Sequence, residues 1–498
     1  MGLNTLITLH CASVIPKVCD AESVQDNGDG QLMDCLISKK NVQAMRETPK
    51  CRAVVESFQV LAMKEISFTP RFKKECQNDV PKYCKQVKNK RDVIECLSKK
   101  IRSDILNDDK PQVSRGCRQQ LRLQISQRHE NVDKFDPVLK ERCQNDIREI
   151  CQDVTKGQGQ ILECLKANHR HLSHSCHLVV FKREEEMMRD PSTDVVLTTG
   201  CRNMIKLFCH DTNNNDILNC LKLHRNDLKF DLKCHSIVSR RMIEQSTDTR
   251  LNPELRKACR PDMGKFCKNI YHNTRNDEDK VELNGKLTEC LKRKLPERKL
   301  TNRCAAQIIL LTRNAALDFN MDPMLKENCE NDMKVLCPEY MSGDAGIGKM
   351  EECLKKQLES NLLKSELCKI HIAHIIETQR ADLQADPILH QDCTIDDIKF
   401  CGEKEKGFHL ACLLDVLDRN PAALQISCKS KLKERREMYQ MAVSITNPKT
   451  LGELMNQVQN SPERNYFILV FVSILGFIFI GGLLCGRRSR AHRLLKKL

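Results

Sequence analysis

FDPVLKERCQNDIREICQD, residues 135–153, sets Cys143 and Cys151 eight positions apart in a stretch patterned as a helix. Cys143, Ile147, Ile150 and Cys151 stand at offsets of 0, 4, 7 and 8, one face of a 3.6-residue period. Asp136 and Pro137 provide a start: a capping side chain, then a residue whose φ is preset for the first helical position. On one straight helix the two sulfurs are about 12 Å apart along the axis, beyond the reach of a disulfide, so each needs a partner elsewhere.

The pair occurs seven times, which makes it a period and not a site. The first cysteines are Cys11, Cys76, Cys143, Cys201, Cys259, Cys329 and Cys393, and the second are Cys19, Cys84, Cys151, Cys209, Cys267, Cys337 and Cys401. A third, always followed by Leu, is Cys35, Cys96, Cys164, Cys220, Cys290, Cys353 or Cys412; the fourth is Cys51, Cys117, Cys176, Cys234, Cys304, Cys368 or Cys428. These are 28 of the 29 cysteines, an even and repeated set that points to disulfides in an oxidising compartment. From each fourth cysteine to the next first one is 25 positions in five cases and 26 in the other, so length variation falls inside repeats, in loops.

Thr69-Pro70, Asp136-Pro137, Asn252-Pro253, Asp322-Pro323 and Asp386-Pro387 each open a first helix, whereas the fourth repeat has Val195 at the proline position. A second helix surrounds the third cysteine, and the fourth cysteine opens a third helix, as in CHSIVSRRMIEQ from Cys234. With no Trp and few aromatics the cores must be small and aliphatic. A unit of about 60 residues buries a marginal core, and two disulfides of about 2–4 kcal/mol each make up the difference. Four cysteines allow three pairings; the preferred one is nested, first with fourth and second with third.

The fold expected is all-α: tandem disulfide-stapled helical cysteine-rich repeats in a linear array, followed by a single transmembrane helix. The repeats span 1–68, 69–135, 136–191, 192–251, 252–321, 322–385 and 386–446, then a luminal stem 447–465, a membrane helix 466–486 and a basic tail 487–498. The uncharged run from Tyr466 is about 20 residues long, enough to cross a hydrocarbon core. RRSRAHRLLKKL after it places the C-terminus in the cytosol and the repeats on the disulfide-forming side. Cys485, juxtamembrane on the cytosolic side, is a palmitoylation candidate, with a free buried thiol as the competing account. The opening residues carry no secretory signal, so a truncated start is expected. Of the net charge of +15 the tail holds +6; the rest is modestly basic and gives no support to nucleic-acid binding.

Other motifs have plainer accounts. DTNNND at Asp211 begins like a calcium loop but has Asp216 where Gly is required and Lys222 at the twelfth position. HRHLSHSCH from His169 occurs in one repeat only, and a solvated helix face accounts for it. Asp79, Asp146, Asp262, Asp332 and Asp396 each follow a first cysteine by three positions, but no partner acid, base or nucleophile recurs with them, and a hydrogen bond between helices explains them better. No catalytic site, cofactor or metal is expected, and there is no N-x-[ST] acceptor.

Seven four-cysteine units with C-x7-C and Cys-Leu signatures, then a stem, a span and a short basic tail, resemble the C-terminal portion of the Golgi apparatus protein 1 family, the cysteine-rich fibroblast growth factor receptors and E-selectin ligands. The resemblance covers essentially the whole chain. It implies a type I Golgi membrane protein, not an enzyme, whose luminal repeats bind fibroblast growth factors and influence their trafficking or secretion. Selectin binding depends on glycans and, without an N-linked acceptor, is not expected of this segment. A passive luminal scaffold or adhesion-ligand stalk is the alternative. Because such growth factors are basic, the acidic stretches REEEMMRD from Arg183 and NDEDKVE from Asn276 are candidate contacts, against a solvated helix or loop.

Overall fold

The computed structural model describes residues 2–20, 30–65, 67, 69–87, 89–107, 110, 112–275, 285–341, 348–405 and 407–446. The stem 447–465, the membrane helix 466–486 and the tail with Cys485 lie outside the described residues. Among the described residues there are α-helices and 3-10 turns and no strand, and no helix is long and apolar enough to cross a membrane.

Repeat 3 sets out the plan with helices Pro137–Ile150, Gln160–Ala167 and His174–Arg189. Asp136 Oδ1 accepts from Leu139 N at 3.1 Å, the N-cap expected before Pro137. The same bond is made by Asp194, Asp322 and Asp386, so the fourth repeat keeps its cap without the proline. Thr69, the candidate cap of repeat 2, makes no such side-chain bond. Cys151 is not on the helix as the periodicity placed it: the helix ends at Ile150, and Cys151 (φ −117°, ψ 23°) stands just past it. That turn frees its sulfur to leave the axis.

Nor is the first helix always continuous. It runs unbroken in Pro253–Phe266, Pro323–Leu336 and Pro387–Cys401, but splits in repeats 1, 2 and 4 into Gly2–Cys11 and Ile15–Val18, Pro70–Glu75 and Asp79–Tyr83, and Val195–Gly200 and Arg202–Phe208. Pro16 and Pro81, each five positions after a first cysteine, remove a donor and crowd the carbonyl four residues earlier, where those two helices break. In repeat 4 the break follows Gly200.

The third helix ends in a short connection before the next cap, such as the 3-10 turns Pro191–Thr193, Phe319–Met321 and Leu383–Ala385. A 16-residue helix, one turn and a cap make up the constant 25-residue spacing, for example His174–Arg189 before Cys201. The core of repeat 3 is small, with Leu139, Cys143, Ile147, Ile161, Leu165, Cys176 and Val180 closed by Val132 from the preceding connection, whereas the cores of repeats 6 and 7 merge into one cluster from Leu325 to Ala442. The chain divides into two compact units, Met1–Gln245 with Arg250–Pro253, and Ser246–Thr249 with Glu254–Leu498.

Candidate functional site

All 28 repeat cysteines are in nested pairs. First and fourth cysteines join as Cys11–Cys51, Cys76–Cys117, Cys143–Cys176, Cys201–Cys234, Cys259–Cys304, Cys329–Cys368 and Cys393–Cys428, with Cα atoms 4.6–4.9 Å apart. Second and third join as Cys19–Cys35, Cys84–Cys96, Cys151–Cys164, Cys209–Cys220, Cys267–Cys290, Cys337–Cys353 and Cys401–Cys412, at 5.9–6.3 Å. The outer bridge ties the third helix to the middle of the first, and the inner one ties the second helix to its end.

Beside each outer bridge the recurring aspartate does a structural job. Asp146 accepts from Ser173 N at 2.7 Å and from its hydroxyl at 2.8 Å; Asp79 and Asp262 hold Ser114 and Thr301 in the same way. Asp332 takes the amides of Lys364 and Ser365, and Asp396 that of Gln425. All five are buried, so their carboxylates are spent on orphan amides at the start of the third helix and offer nothing to a substrate. Repeat 4 has Met204 in place of the acid, and there Asp231 caps Cys234 N from its own chain at 2.9 Å.

Buried charge marks the joints between repeats. At the joint of repeats 3 and 4, the cap Asp194 also receives Arg241 Nε at 2.6 Å, and the same guanidinium donates at 2.7 Å to Glu163 on the second helix of repeat 3. Lys166 closes the group, 2.9 Å from Glu163 and 3.0 Å from Glu244. The joint of repeats 6 and 7 repeats it: Arg435 bonds Asp386 and Glu352, each at 2.6 Å, with Lys355 2.8 Å from Glu351. In repeat 3, Arg183 holds Asp136 at 2.7 Å. Arg183, Arg241 and Arg435 all stand seven positions after a fourth cysteine. Burial by itself would raise these carboxyls; the facing cations reverse it, leaving Asp136, Asp194 and Asp386 below the ordinary range and Glu352 at about 2.

The joint of repeats 5 and 6 differs. Asp322 has Lys292 at 3.2 Å and His371 Nε2 at 3.4 Å, a charge contact longer than a well-formed hydrogen bond. Burial opposes protonation of His371, but Asp322 and Glu289 prevail over it and over Lys292, so its pKa is raised.

A glycine five positions before the third cysteine completes the joints. Gly30, Gly159, Gly285, Gly348 and Gly407 all have positive φ. Gly159 N donates to Glu130 O at 2.8 Å and Gly285 N to Thr247 O at 2.7 Å, satisfying the end of the preceding repeat's third helix. A Cβ on Gly285 would meet Pro323 Cγ at 2.8 Å, so the left-handed turn and the close approach both require glycine. No alternating pattern signals this residue; aligning the repeats on the third cysteine does.

The acidic stretch REEEMMRD is not a contact surface, and it is not solvated either. Glu184 and Glu185 are buried; Arg102 and Arg189 pair with Glu185, and Arg128 and Arg183 with Glu186. NDEDKVE lies outside the described residues. DTNNND forms a turn whose Asn215 accepts from Arg122 at 2.8 Å. In the histidine cluster only His169 and His177 approach, with ring centroids 6.0 Å apart. Among the described residues no group of three or more His, Cys, Asp or Glu is placed to hold a metal ion.

Free surface character varies by repeat. Residues 322–385 of repeat 6 hold 12 Asp and Glu against eight Lys and Arg, and Leu367 and Ile370 are exposed one turn apart on the third helix. In repeat 7, Ile395 and Ile398 stand out on the first helix at 62% and 71% exposure. Ile426, at 88%, is exposed at the start of the third helix, next to Gln425, whose amide donates to Asp396. Two isoleucines exposed one turn apart on a helix, with a third exposed on the bridged helix, are the feature most like a protein-binding face.

A family model described as a cysteine-rich repeat matches residues 49–104, 115–173, 174–229, 232–299 and 302–361. Each match starts at a third helix and runs through the first two helices of the next repeat, the span the joints hold together. Golgi apparatus protein 1 of Gallus gallus is 37% identical over 99% of this chain and 43% of its own length, and that of Homo sapiens 36% over 99% and 42%. The Golgi apparatus protein 1 homolog of Caenorhabditis elegans is 26% identical over 98% of the chain and 44% of its own. The chain thus spans less than half the length of these relatives. No solved structure matches it.

Proposed function

This chain belongs to the cysteine-rich repeat family, and from that premise we propose that it is a non-enzymatic Golgi membrane receptor whose luminal repeats bind growth factors of the fibroblast growth factor class and influence their trafficking or secretion. It is anchored as a type I protein by residues 466–486, with Cys485 on the cytosolic side open to acylation. The recurring carboxylates are committed to helix starts and joints, which supports a binding role over a chemical one.

The observation that carries the binding is the exposed Ile395, Ile398 and Ile426 next to the acidic repeat 6. A basic growth factor would bury the isoleucines as its anchor and be oriented by the acidic balance. The test is binding of a purified fibroblast growth factor to the chain and to its Ile395→Arg/Ile398→Arg variant. A saturable interaction weakened tenfold or more in the variant is expected. No saturable binding at any salt concentration would leave the passive scaffold.

A further inference from the structure

Charge is not shared evenly along the array. Residues 69–135, repeat 2, carry 17 Lys and Arg against nine Asp and Glu, a net +8, while repeats 1 and 3 are each close to neutral. Repeat 5 is the other basic one, with 15 against nine, but several of its cations are already engaged. Lys292 holds Asp322, Arg293 holds Glu289, and Lys294 and Lys299 share Glu297.

In repeat 2 three separate segments meet at one ring, two of them through a cation. Lys82 Nζ lies 5.0 Å and Lys100 Nζ 5.4 Å from the Tyr83 ring centroid. Tyr83 Oη donates to Gln112 O at 3.3 Å, drawing in the segment with Lys110 and Arg115, and Lys85 follows two positions after Tyr83. Lys82, Lys85, Lys110 and Arg115 are exposed, and none pairs with a carboxylate among the described residues. Of the described acids beside them, Asp104 is buried and taken by Lys100 at 2.7 Å, and Asp79 is spent on Ser114; Glu75, against Gly116, is exposed.

We propose that this face of repeat 2, Lys82, Lys85, Lys100, Lys110 and Arg115 around Tyr83, binds a sulfated polysaccharide chain. Cations gathered from several segments, of which Lys100 is shared with Asp104 and the other four pair with no carboxylate among the described residues, provide a polyanion with multiple contacts and release of counterions. An acidic protein partner would need apolar anchors as well, and among the described side chains of repeat 2 the one exposed large apolar group is Leu123, on the third helix. Nucleic acid is set aside because the 14 disulfides place the repeats in an oxidising, extracytosolic compartment. The site is independent of the growth-factor face on repeats 6 and 7.

The experiment measures binding of the full chain to immobilised dextran sulfate, with neutral dextran and polyglutamate as comparators, across a salt series. Three forms are compared: wild type, Lys82→Glu/Lys85→Glu/Arg115→Glu, and a control reversing exposed charges elsewhere, Lys334→Glu/Lys356→Glu/Lys399→Glu. The repeat 2 variant is expected to bind at least tenfold more weakly near 150 mM salt, with a shallower salt dependence, while the control stays within about threefold of wild type. Should the triple variant melt earlier than wild type, Lys85→Glu alone is expected to weaken binding two- to threefold with unchanged melting. Equal binding by wild type and variant, equal loss in the control, or retention on neutral dextran would overturn the proposal. Polyglutamate held as tightly as dextran sulfate would overturn it in favour of an acidic protein partner.

Discussion

The joint of repeats 3 and 4 and the joint of repeats 5 and 6 share a plan and differ in one cation. Both seat a cap aspartate against the second helix of the preceding repeat, but Asp194 is gripped by Arg241 whereas Asp322 is met by Lys292 and His371. Arginine keeps its charge at every accessible pH and bonds two carboxylates through one planar fork. Histidine makes one longer contact and titrates near neutrality. Disulfides and glycine fix the joint's geometry, and the buried cation decides how that joint answers to pH.

The strongest way to break the first joint is Arg241→Met, which strips Asp194 of its guanidinium and leaves Glu163 with Lys166 and the half-exposed Arg240. A loss of about 3–5 kcal/mol in local stability is expected, read as faster amide exchange in residues 194–208 and 232–244. Removing an inner disulfide should barely distinguish the joints: Cys151→Ala/Cys164→Ala and Cys267→Ala/Cys290→Ala open bridges of sequence separation 13 and 23, and because the cost grows only with the logarithm of loop length each is expected to lose about 3 kcal/mol by thermal unfolding. Gly285→Ala forces a left-handed alanine against Pro323, for an expected cost of about 1–2 kcal/mol by the same measurement.

The smallest effect sharpens the comparison most. The folded pKa of His371 is raised, so its contribution is complete below the unfolded value near 6.5 and is lost as pH rises through the folded one. Exchange in residues 323–336 and 366–379 should therefore quicken from pH 6 to 8 beyond the intrinsic rate, with no such change at the Arg241 joint. His371→Gln should remove the dependence. Asp194 and Asp322 have lowered values, so both joints hold above about pH 4 and weaken as pH falls below it.

Much of this was legible in the sequence. The period, the three helices and the Asp-Pro caps follow from spacing and from local rules that tertiary packing does not overrule. Helix continuity was not, because Pro16 and Pro81 stand where a helical pattern tolerates their neighbours but not the missing donor. The joints were hidden for another reason. Arg183, Arg241 and Arg435 read as ordinary surface cations until the repeats are aligned on the fourth cysteine, and Glu184 to Glu186 read as a solvated run because nothing local shows the arginines that neighbouring helices bring to them. The glycine before the third cysteine carries no local signal in its five repeats, since its partners belong to the repeats before and after it.

The nested bridges underlie every joint described, and peptide mapping under non-reducing conditions tests them most directly. With thiols blocked before digestion, the account predicts cystine-linked fragments joining Cys143 to Cys176 and Cys151 to Cys164, and their counterparts in the other six repeats. A fragment bridging Cys143 to Cys151, or Cys143 to Cys164, would contradict it.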